Sequence, residues 1–132
     1  MVTHLINRLL WLRIGNREPI AVILPDPLKR ILDGTKRWEI RSRPLRKHIG
    51  KRLWLAQSGS STVYGHSKLV DSIGPLSPDT WSAKRTQHQV DGERMYGDHT
   101  HAWVLHDVCR CDPLLIQRKA GAIQIQLGPW AA

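Results

Sequence analysis

Short apolar runs alternate with charged or turn-forming stretches along most of this chain, and the period of that alternation sets the expected elements. Ile20-Ala21-Val22-Ile23-Leu24 reads as a strand, followed after Pro25 by one or two helical turns over residues 26–33. Gly34 is the residue type that ends a helix in the left-handed conformation. Residues 38–43 alternate large or apolar with charged side chains, the pattern of a half-buried strand. Trp38 and Ile40 are expected to point inward, and Glu39, Arg41 and Arg43 to share the outer face. Further strands are expected near 51–57, 62–73, 100–111 and 122–127. The last is the cleanest, with Ile123, Ile125 and Leu127 alternating against Gln124 and Gln126. Residues 74–99 carry Gly74, Pro75, Pro78, Gly92 and Gly97 and form a long connection, a candidate to close over a neighbouring cleft. Within it, Ser77-Pro78-Asp79 supplies an N-cap followed by proline at the first helical position, which predicts one short helix over about 78–88.

A length of 132 residues suits one domain over 17–132, preceded by an extension over residues 1–16. In that extension, Leu5-Ile6 and Leu9-Leu10-Trp11-Leu12 are apolar but interrupted by Asn7 and Arg8, too short for a membrane span and without a small-residue cleavage site. It reads as a helix packing on the domain or on a second chain, so the protein is expected to be a monomer or homodimer. Attachment to an acidic membrane surface is the weaker alternative. Cys109 and Cys111 would lie on one face of a strand, where a disulfide between them would be strained; reduced thiols in the cytoplasm are the default.

Charge sharpens the picture. The formal net charge is +9 and the pI about 10.3, which suits a polyanionic partner better than a neutral metabolite. Between Lys29 and Arg52 stand 10 lysines and arginines against only Asp33 and Glu39. Inside that run lies Gly34-Thr35-Lys36-Arg37-Trp38-Glu39-Ile40-Arg41, a G-x-K-x-x-E-x-R string where a helix hands over to a strand. One acid among fixed cations makes a polar pocket suited to an anion or a nucleotide. Lys36 is the first candidate for chemistry. Partly desolvated, it would act as base or nucleophile; fully charged, it would grip phosphate. Pairing with Glu39 would hold it protonated and make the site a binding one, whereas occupation of Glu39 by Arg41 would free it for catalysis. A plain same-face ion pair between Glu39 and Arg41 is the bland reading. Trp54 and Trp103 sit in apolar strands and read as core, while Tyr64, Tyr96 and Trp81 have rings that could stack on a base, with core packing the first expectation for each. His99, His101, His106, Cys109 and Cys111 fit no standard zinc spacing, so neither a metal nor a cofactor is expected.

The G-x-K-x-x-E-x-R string after a strand and a proline-flanked helix resembles the ASCH family, the activating-signal-cointegrator homology domains of the PUA-like superfamily. Gly50 to Ser58 resembles the family's second strand with its terminal serine, and Tyr64 to Asp71 its third. Tyr96-Gly97 with Ala102-Trp103-Val104-Leu105 resembles its "YG…AWVL" strand, and Gly121 to Ile125 its closing strand. The resemblance spans about residues 18–128. It implies an α+β fold, a PUA-like antiparallel β-barrel with short helices, and a cleft lined by Lys36, Glu39 and Arg41. It also implies nucleic-acid binding, with single-stranded RNA or a nucleotide as partner. Lys36, Arg41 and the basic stretch (Arg37, Arg43 and Lys51) would meet phosphate, and Glu39 and Ser58 a base or ribose, with Gly34, Tyr64 and Tyr96 completing the set. An enzymatic alternative comes from the similar bacterial N4-acetylcytidine amidohydrolases, which use a lysine, a threonine and a glutamate. Lys36 matches their lysine, but Glu39 stands where they have threonine, and Glu93 is only a candidate for their glutamate. A ribonuclease using Lys36 is a related alternative, and a protein-interaction module is the non-catalytic one.

Overall fold

The computed structural model describes residues 18–60 and 62–115. The expected helix over 1–16 and strand over 122–127 lie outside these residues. In chain order the elements are β1 (Ile20–Ile23), α1 (Pro25–Leu32), β2 (Trp38–Arg41), a 3₁₀ turn (Arg46–His48), β3 (Arg52–Gln57), β4 (Thr62–Ile73), α2 (Pro78–Ala83), α3 (Arg85–His88), a second 3₁₀ turn (Gly97–His99) and β5 (His101–Leu115). This is an α+β fold, as the sequence predicts. No helix among the described residues is long and apolar enough to cross a membrane.

One sheet runs in the order β1-β3-β4-β5-β2. Three of its ladders are antiparallel, but β1 runs parallel to β3, with Ile20 opposite Trp54 and Ile23 opposite Gln57. The sheet is therefore mixed rather than purely antiparallel, and its backbone ladders among the described residues do not close into a barrel. Instead the two edge strands meet through a side chain: Arg41 on β2 donates from Nη2 to the Val22 carbonyl on β1 at 2.7 Å. The sheet curls far enough for this because β4 and β5 shift register at three places along their pairing, and such bulges bend a strand and increase its twist.

β3 is buried on both faces. Leu53 and Leu55 pack beneath α1 with Leu28, Ile31, Leu69 and Leu105, while Trp54 and Ala56 join Ile20, Val63 and Leu114 on the other side. Full burial of each side chain such as Leu28 or Ile31 contributes about 2 kcal/mol. α1 begins with Pro25 in its first turn and Asp26 beside it, and ends where Gly34 takes φ +83° and donates to the Ile31 carbonyl. The inward side of β2 is as expected: Trp38 and Ile40 pack with Leu76, Trp81, Ala102 and Val104.

The connection after β4 departs from expectation. Ser77 does cap a helix, accepting from the Thr80 amide at 3.1 Å, but the helix breaks at Lys84 into two short pieces. A continuous helix would set residues seven apart at about 10 Å. The Trp81 and His88 rings stack instead with centroids 3.7 Å apart, which the break makes possible. Trp81 is thus buried in the core and is not a platform for a base.

Candidate nucleotide-binding cleft

Glu39 and Arg41 share a face of β2, as alternation predicts, but that face is not open surface: Glu39 is only 6% exposed. The Arg41 guanidinium holds it, donating from Nε at 3.0 Å and Nη2 at 2.9 Å to the single oxygen Oε2. Trp103, opposite Glu39 in the β2–β5 ladder, supports the guanidinium with its ring 5.1 Å away. Oε1 receives no donor among the described residues and lacks none of its capacity to accept one.

Lys36 leaves the loop after Gly34 and buries its side chain to 3% exposure. Its ammonium donates to the His88 carbonyl and forms no ion pair with Glu39. Burial pushes the Lys36 pKa down, more than the attraction of Glu39 raises it, and nearby Arg30 lowers it further. Of the two arrangements open to the sequence, this is the one in which Arg41 occupies the carboxylate and Lys36 does not.

His88 is the residue that sequence reasoning missed. It is fully buried, its Nδ1 accepts from the Val90 amide at 3.0 Å, and its Nε2 lies 2.8 Å from the Trp81 carbonyl. These partners fix a neutral ring with the proton on Nε2. Burial accordingly lowers its pKa, against the Trp81 carbonyl that raises it, and Lys36 and Arg85 lower it again. Nothing in the local sequence marks this role, because it rests on Trp81 in α2 and on Lys36 from the loop before β2 as well as on the nearby Val90. Around His88 the loop is stitched to the motif: the Arg37 amide donates to the Gln87 carbonyl, Gln89 Nε2 to the Thr35 carbonyl, and Arg30 to the Gln89 carbonyl. Gln89 adopts φ +55° to make the turn. The long connection is therefore a fixed wall of the cleft along residues 89–91 and 95–96.

That cleft encloses about 450 Å³ and brings together Lys36, Glu39, Arg41 and Tyr96 of the expected residues, with Arg30, Asp26 and Asp91. Met95 and Tyr96 stand exposed at its lip. Its ionisable lining is balanced, with Arg30, Lys36 and Arg41 against Asp26, Glu39 and Asp91. The other expected residues fall elsewhere. Arg43 lies across Arg41 in a second, larger groove. Gly34 and Arg37 line a depression beside His106 and Asp107. Tyr64 lies beyond α1 near Arg110, and Lys51 stands exposed just before β3. Ser58 is tied through its amide to the Ile23 carbonyl at the end of β1, and Glu93 is exposed on the loop between α3 and β5.

The chain is similar to the crystal structure of ASCH from Zymomonas mobilis, at a TM-score of 0.63 and 22% identity over 76% of this chain and 75% of that one. A serine-to-alanine mutant of the same protein matches equally, and a tyrosine-to-phenylalanine mutant matches at 23% identity. The fold is ASCH-like. No family model and no curated protein sequence matches the chain. The likeness of this ASCH-like domain to these solved structures lies in the path of the backbone, and the cleft described above is read from its own side chains.

Proposed function

We propose that this ASCH-like domain binds nucleic acid, single-stranded RNA in the first instance, and seats a nucleotide in the cleft of Lys36, Glu39 and Arg41. The observation that carries the reading is the state of Glu39. Arg41 and Trp103 hold the carboxylate in place through Oε2, and Glu39 lines the cleft with Oε1 unbonded among the described residues, an acceptor for a base N–H or a ribose hydroxyl. Met95 and Tyr96 offer the lip an apolar and aromatic surface for a base face. Arg41, at the boundary of the cleft and partly exposed, reaches the phosphate side. A filter-binding series against salt tests the reading: log affinity for a short RNA should fall against log salt with a slope of roughly −2 or steeper, about −0.7 per phosphate contact. A flat series, or no binding at low salt, contradicts it.

A hydrolase acting on a modified nucleoside such as N4-acetylcytidine, or on RNA, is the second reading. It is favoured by one observation: Lys36 is buried, lowered in pKa and not ion-paired with Glu39. In that case turnover should rise with pH as the lysine loses its proton, and Lys36→Ala should abolish it. Unchanged turnover in that variant excludes the chemistry.

A further inference from the structure

The charge of the basic run is not spent in the nucleotide cleft, where three acids balance three cations. It is displayed on the other side of Arg41. There a groove of about 740 Å³ runs along the gap between the sheet edges, walled by Arg41, Arg43, Arg46 and Lys47 with no acidic residue in its lining among the described residues. Arg43, Arg46 and Lys47 are exposed, and the partly exposed Trp103 lies between them and Arg41, its indole N–H donating to the Arg43 carbonyl at 2.9 Å. The two hollows share Val22 and Arg41, the residues whose hydrogen bond bridges the edge strands. A cleft with balanced charge suits a nucleoside; a neighbouring groove where Arg43, Arg46 and Lys47 face no acidic partner among the described residues, beside the Glu39-paired Arg41, suits the phosphates that follow it.

We infer that the second groove is a phosphate-backbone track, so that the domain's ligand is a strand of several nucleotides crossing Arg41 and not a free nucleoside or mononucleotide. This rests on the nucleotide-binding reading and adds ligand length and direction to it. The bridge between Arg41 and Val22 sets the crossing point: the nucleotide in the cleft lies on the α1 side, and its neighbours lie over the turn that carries Arg46 and Lys47.

The test compares uridine 5′-monophosphate with hexauridylate on the full chain, by fluorescence and filter binding across a salt series. Wild type should hold the hexamer at least on the order of 100-fold more tightly than the monophosphate at 0.1 M salt, since each added phosphate contact contributes about fivefold there. Arg46→Ser/Lys47→Ser should leave the monophosphate affinity within about twofold, weaken the hexamer about 25-fold and make its salt slope shallower by about 1.4. Because Arg46 also donates to the Gly74 carbonyl, Lys47→Ser alone serves as a second variant, with a slope change of about 0.7. Equal wild-type affinity for the two ligands, or an unaltered hexamer slope in both variants, overturns the track while leaving the cleft standing. Failure of wild type to bind either ligand removes the cleft reading and the track with it.

Discussion

Lys36 shows how one side chain's surroundings select its chemistry. With its ammonium buried against the His88 carbonyl, its proton is held less firmly than in water, below the ordinary lysine value of 10.5. Between the depressed folded value and 10.5 the unfolded chain binds the extra proton, so this group's contribution to stability rises with pH through that window. Urea melts at several pH values between 7 and 10.5 should therefore show wild type gaining on Lys36→Met as pH climbs; parallel curves would contradict the burial argument. Arg41 supports a second expectation. Arg41→Ala should cost about 2 kcal/mol by stranding the Glu39 carboxylate, and Glu39→Gln in the same background should recover most of that loss. A double-mutant cycle by denaturant melts checks it, and strict additivity would mean the pair is not coupled. The motif itself was legible because its residues lie within eight positions. Which cation Glu39 takes was not, since that choice depends on Trp103 and Val22 from other strands.

At the scale of elements, the decisive piece is the turn after α2. His88 joins the Trp81 carbonyl to the Val90 amide and stacks on the Trp81 ring, while its own carbonyl receives Lys36. His88→Ala should cost about 3 kcal/mol through the cavity and two orphaned backbone groups, and should remove hydrogen-exchange protection at Val90. Retained protection at that amide would show the turn to be held by other contacts. Its lowered pKa gives a further sign: below about pH 6.5 the unfolded chain takes up a proton that the folded ring resists, so stability is lost as the solution is acidified. His88→Asn should flatten that loss. Ser77 capping and the Gly34 stop were readable because a cap or a left-handed turn is written within four residues. The break at Lys84 was not, because it goes with the stacking of two rings seven residues apart.

For the whole molecule, strand positions in the described residues followed from alternation, whereas strand order did not. Nothing periodic in Ile20–Ile23 reveals that it pairs in parallel with Arg52–Gln57, and that pairing leaves β1 and β2 as facing edges bridged by Arg41. From that gap come the two hollows and the division of charge between them, which a linear count of lysines and arginines merges into one basic run. The most direct test of the proposed nucleotide seat is an amide chemical-shift titration of isotopically labelled protein with a short oligouridylate. The account predicts the largest changes at residues 36–41 and 89–96, with smaller ones over 43–47. Shifts confined to the surface beyond α1 around Tyr64 and Arg110, with residues 36–41 silent, would contradict it.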